Sequence, residues 1–125
     1  MTEKRLLVVD DEADFGNFVA NVAESIGYAV TVTDQPSRFQ ELYDRIEPTD
    51  IMVDIVMPET DGIEIVRWLA EHDNTARVFV VTGRSPHYAN AAKLIGDLVG
   101  GFPLTVLSKP IGIDDLTAAL NGAAS

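Results

Sequence analysis

Five short runs rich in apolar and β-branched residues, each followed by a stretch of helical periodicity, limit this chain to very few folds. The runs are Leu6–Val9, Tyr28–Thr33, Ile51–Val53, Val78–Val81 and Leu104–Leu107. The first, third and fourth are unbroken apolar segments, the pattern of strands buried on both faces. The second alternates only in part and is read as a strand nearer the sheet edge. Between the runs, apolar residues recur at helical spacing: Phe15, Phe18, Val19, Val22, Ala23 and Ile26; Phe39, Leu42, Tyr43 and Ile46; Ile63, Val66, Leu69 and Ala70; Tyr88, Ala91, Ala92, Ile95, Leu98 and Val99; and Ile113, Leu116, Thr117 and Leu120. Gly27, Pro48 and Gly100-Gly101 supply stops, and Pro36-Ser37 and Asp61-Gly62 supply starts. Ile65 and Trp68 widen the third helical face, Trp68 as packing at a helix edge.

Strand then helix, five times over, implies a parallel sheet, because each parallel connection has to cross back over the sheet, right-handed and covered by its helix. The expected fold is therefore α/β: a doubly wound five-stranded parallel sheet of order 2-1-3-4-5, a flavodoxin-like three-layer sandwich. That order gathers the C-terminal ends of strands 1, 3, 4 and 5 around one crevice, which is where open parallel sheets bind ligands.

The 125 residues fit one domain, 1–125. No apolar run approaches the roughly 20 residues of a membrane span, and Met1–Arg5 leads into only four apolar residues before Asp10, so a cytoplasmic protein without a signal peptide or membrane contact is expected. The absence of cysteine removes disulfide, thiolate and zinc-thiolate chemistry, and His72 and His87 have no ligand spacing. A formal net charge of -11 disfavours direct nucleic-acid binding and favours proteins or cations as partners.

The strand ends carry the chemistry. Asp10 and Asp11 end the first strand, Asp54 the third, Thr82 the fourth and Lys109 follows the fifth. Singly, Asp10-Asp11-Glu12 is a good helix cap, Asp54 and Thr82 are turn residues and Lys109 is a solvated charge. The topology brings them together. Gathered carboxylates repel unless a cation lies between them, and an all-oxygen donor set suits magnesium, which typically bridges to a phosphate. Lys109 and Thr82 offer the cation and the hydroxyl that a transferring phosphoryl group needs. With no GxxxxGK[ST] or GxGxxG loop in the chain, a bound nucleotide is not expected, and Asp54 is the carboxylate best placed to accept phosphate from elsewhere.

These residues resemble a known family. Leu7-Val8-Val9-Asp10-Asp11-Glu12, then Asp54 with Met57-Pro58 and Asp61-Gly62, then Thr82-Gly83, then Lys109-Pro110 resemble the receiver domain of bacterial two-component response regulators, of which the single-domain chemotaxis regulator is the simplest member. The resemblance covers nearly the whole chain. It implies that Asp54 is the phosphoacceptor, that Asp10, Asp11, Asp54 and the Val56 main-chain carbonyl bind magnesium, that Thr82 is the switch hydroxyl and Lys109 the phosphate partner, and that the Lys109-Pro110 peptide is cis. It implies as partners a histidine kinase or phosphotransfer protein and a downstream output protein, with no catalysis beyond the chain's own phosphorylation and dephosphorylation.

Two departures stand out. Val106 occupies the place, three before the lysine, where the family usually has an aromatic residue, and the Thr82–Lys109 segment is longer than usual, with Gly100-Gly101-Phe102-Pro103 before the last strand. Tyr88 and Phe102 are candidates to replace the missing ring, and Val56 and Arg84 are candidates to tune the lifetime of the phosphorylated state. A receiver-shaped docking module that is never phosphorylated is the first alternative. A haloacid-dehalogenase-type phosphatase is the second, against which Glu12 stands where a second aspartate belongs. No DNA-binding or catalytic segment follows Leu120, so the expected chain is a stand-alone regulator or a receiver from a longer protein.

Overall fold

A computed structural model describes residues 3–55, 57, 62–83 and 102–122. The expected helix over Tyr88–Val99, Gly100-Gly101, Val56, Pro58, Asp61 and Arg84 lie outside the described residues. Strands β1 (Arg5–Val9), β2 (Ala29–Thr33), β3 (Asp50–Asp54), β4 (Arg77–Thr82) and β5 (Leu104–Ser108) form one parallel sheet of order β2-β1-β3-β4-β5. The described helices are α1 (Ala13–Ser25), α2 (Phe39–Ile46), entered through a 3-10 turn at Pro36–Arg38, α3 (Gly62–Glu71) and α4 (Ile113–Leu120). Both the order and the parallel sense agree with the sequence reading.

Because side chains alternate along a strand, the sheet divides the core in two. Leu7, Val9, Ile51, Val53, Val78 and Val80 pack on Phe39 and Leu42 of α2 and Ile65, Val66 and Leu69 of α3. Leu6, Val8, Met52, Phe79 and Val81 pack on Val19, Val22 and Ala23 of α1 and Leu116 and Leu120 of α4. Trp68 sits where the sequence placed it, at the edge of α3, with its ring edge-on to Phe39 and Tyr43. Gly27 ends α1 in the left-handed region, φ 100°, and Tyr28 N–H turns back to the Ala23 carbonyl. Among the described residues no helix is long and apolar enough to cross a membrane.

The N-terminal end of the sheet is tied by a polar cluster. Register pairs Asp50 with Arg77 across β3 and β4. Arg77 Nε donates to the buried Asp50 Oδ1, and Arg77 Nη2 donates to Tyr28 Oη at 3.0 Å and to the Leu120 carbonyl at 2.9 Å. Tyr28 Oη donates to the same carbonyl at 3.0 Å, so the cluster joins the strand starts to the end of α4. Arg77→Met strands a buried carboxylate without its counter-charge. We expect it to cost about 3 kcal/mol of unfolding free energy, read by urea denaturation.

Burial first, and the Asp50 carboxylate second, push the Tyr28 phenol up to about 12. An unfolded tyrosine titrates near pH 10. Between about pH 10 and about pH 12 the unfolded chain therefore loses this proton before the folded chain does, and stability present at neutral pH falls as pH rises. A thermal-melt series should show a shallower decline across this window for Tyr28→Phe than for the parent chain.

Candidate functional site

The C-terminal ends of the strands hold a cluster of charge. Asp10 directly follows β1; its amide donates to the Thr33 carbonyl, and its Oδ1 accepts the Glu12 amide at 2.8 Å, which folds the chain into α1. Asp54 is the last residue of β3 and is buried. Both belong, by alternation, to the α1/α4 side of the sheet, in step with Leu6, Val8 and Met52. Lys109 follows β5 through a backbone hydrogen bond of 2.8 Å to the Thr82 carbonyl, and the Lys109-Pro110 peptide is cis.

The Lys109 ammonium lies 2.6 Å from Glu12 Oε1, 3.1 Å from Asp10 Oδ2 and 3.3 Å from Asp54 Oδ2. It also sits 4.5 Å from the centre of the Phe15 ring. Burial works to lower the affinity of this lysine for its proton, but hydrogen bonds to Glu12 and Asp10 and the charges of Asp10 and Asp54 outweigh it and hold it above the ordinary range. Burial pushes the Asp10 carboxyl up, against the opposing pull of the Glu12 amide and of Lys109. Three carboxylates thus face one ammonium group. Among the described residues the site carries an excess of negative charge.

One oxygen each from Asp10, Glu12 and Asp54 lie within 4.8 Å of one another, a spacing that one cation can bridge. Asp10 Oδ2 is buried, and apart from its 3.1 Å contact to the Lys109 ammonium it has no hydrogen-bond partner among the described residues. An oxygen-only donor set that includes a buried carboxylate oxygen fits a hard divalent ion such as magnesium.

Among the residues read from sequence, Asp10, Asp54 and Lys109 come together. Asp11 lies on the bend after β1, exposed and outside that group of three acids. Thr82 is buried at the end of β4, where alternation sets it with Val78 and Val80 on the α2/α3 side. Phe102 packs against the α2/α3 core, and Val106 is 43% exposed on β5. Glu12 and Phe15 were missed as site residues. Glu12 lies in the acidic triplet Asp10-Asp11-Glu12, and Phe15 begins the apolar face of α1; the strand-to-helix turn that places both at the crevice is the signal that could have found them.

The chain has counterparts among known proteins. Residues 6–121 match the model of the response regulator receiver domain. The response regulator receiver protein CpdR of Brucella abortus is 36% identical over 115 residues, covering 90% of each chain. Other matching relatives are longer, this chain spanning 44% of the transcriptional regulatory protein TrcR of Mycobacterium tuberculosis and 58% of the acid tolerance regulatory protein ActR of Rhizobium meliloti. A receiver-domain crystal structure from Bermanella marisrubri superposes with a TM-score of 0.82 at 22% identity, over 99% of this chain and all of that one, a likeness of fold. A response regulator from Burkholderia pseudomallei, crystallised with a phosphorylated aspartic acid, a calcium ion and citrate, gives 0.76 at 27% identity, over 94% of this chain and 66% of that one.

Proposed function

The chain belongs to the response regulator receiver domain family of two-component systems, and on that premise we propose that it receives a phosphoryl group on Asp54 and changes conformation for a downstream partner. The observation that carries this reading is the buried Asp54 at the end of β3 with Lys109 Nζ 3.3 Å from its Oδ2. The phosphorylated aspartic acid and calcium ion of the Burkholderia protein lend support by likeness.

An Asp54 carboxylate oxygen forms the new bond to phosphorus as the bond from phosphorus to the donor breaks; with a phosphohistidine donor, the imidazole nitrogen keeps that electron pair. Lys109 neutralises charge that builds on the phosphoryl oxygens. Asp10, Asp54, Asp11 and the Val56 carbonyl are the residues we assign to hold magnesium, with Glu12 close enough to join them. When bound, the ion supplies positive charge at the phosphoryl oxygens. Burial of Asp54 limits access of water to the acyl phosphate, and hydrolysis returns the chain to its starting state, so the protein acts on no substrate but itself. The donor is a histidine kinase or phosphotransfer protein, and the location that suits such a donor is the cytoplasm.

The added charge on Asp54 attracts the Thr82 hydroxyl and shifts a pre-existing two-state equilibrium in the neighbouring loops. With Val106 in the usual aromatic place, the output surface differs from that of relatives that have the ring. Incubation with magnesium and a small phosphodonor, followed by peptide mapping under acidic conditions, is expected to find one phosphoryl group, on Asp54, and none when a chelator is present. A label on another residue, or no label, overturns the reading.

A further inference from the structure

Among the described residues Lys109 has three acidic neighbours, and they are not equivalent. The shortest contact, 2.6 Å, is to Glu12, whose side chain is 63% exposed; the longest, 3.3 Å, is to the buried Asp54. Glu12 stands at the N-cap position of α1 but makes no side-chain cap there. Its carboxylate is turned instead to a lysine 97 residues away in the chain. Phe15, in the first turn of the same helix, offers its ring to the same ammonium group. The ammonium is therefore drawn toward the first turn of α1, at the open edge of the site.

The geometry points to Glu12 as a positioning residue: it holds the Lys109 ammonium at the edge of the crevice in the unphosphorylated chain and competes for it with the phosphoryl group on Asp54. This rests on the phosphoacceptor reading and adds a residue that the strand-end pattern does not contain. A phosphoryl group brings more charge and more acceptor oxygens than the Asp54 carboxylate alone, so it shifts the ammonium inward. The pair that opposes this shift is exposed on the Glu12 side, and exposed pairs are weak enough to yield. Glu12 then biases the chain toward its unphosphorylated state without touching the transferred group.

The two roles open to Glu12, holding the lysine or holding the ion, differ in sign. Beryllium fluoride mimics a phosphoryl group on a carboxylate, and its affinity can be measured by calorimetry at saturating magnesium on the full chain and on Glu12→Gln. If Glu12 holds Lys109 back, the variant binds the mimic about two- to fivefold more tightly, the range expected for loss of one exposed competing pair. In addition, the 15N resonance of the Lys109 ammonium group in the free variant lies part of the way toward its position in the beryllium fluoride complex. Equal or weaker binding by the variant, or an unmoved resonance in its free form, overturns the inference; weaker binding would assign Glu12 to the ion instead. Failure of the parent chain to bind the mimic would remove the phosphoacceptor reading itself, and this one with it.

Discussion

Asp54→Asn is expected to take up no phosphoryl group from a small phosphodonor, under conditions in which the parent chain is labelled. The amide is nearly the same size as the carboxylate but has no oxygen of comparable nucleophilicity, so the substitution removes the chemistry and keeps the shape. It also removes one negative charge from a cluster in which three carboxylates share one ammonium group. Like charges crowded at one place disfavour the folded state. In the presence of a chelator the variant should therefore melt at a higher temperature than the parent, and magnesium should raise its melting temperature by less. Labelling of the variant at the parent rate would show that phosphate goes elsewhere.

Gly62→Ala is expected to destabilise the chain by about 3 kcal/mol, although helix propensity alone favours alanine over glycine by about 1 kcal/mol. Gly62 is buried and opens α3, and its amide donates to the Ile55 carbonyl at 2.9 Å. A β-carbon there would lie 2.8 Å from Ile55 Cα and closer still to the Asp54 carbonyl oxygen. Both obstacles are main chain. Neither can turn aside as a side-chain tip would, so α3 has to move away from the end of β3 and loosen the segment that carries Asp54. Urea denaturation measures the loss, and the phosphodonor reaction should slow in parallel. A variant as stable as the parent or more so would mean that α3 has freedom to shift at its first turn.

The fold was legible because its signals are local and repeated. The strands announce themselves as apolar runs, and alternation with helical spacing leaves few ways to connect them. Asp10, Asp54 and Lys109 were legible for a related reason: each falls where a strand runs out, and a parallel sheet brings such ends together. The Glu12 contact to Lys109 was not, because nothing in the periodicity of α1 tells which way an exposed carboxylate leans, and its partner is 97 residues away. The Asp50–Arg77 pair is not legible either, since both residues lie at the polar margins of their strands. Only the register, which sets one opposite the other, shows that they are paired. The place of Phe102 against the α2/α3 core likewise follows from packing that sequence spacing does not encode.

The division of the interior by alternating strand residues has a mechanical corollary. Asp54 continues the row that faces α1 and α4, whereas Thr82 continues the row that faces α2 and α3. The sheet between them works as a septum, with apolar filling on either side. A ligand on Asp54 that reaches the Thr82 hydroxyl has to pass over the lip of that septum, where β3 and β4 stop, and in doing so it bridges the two compartments.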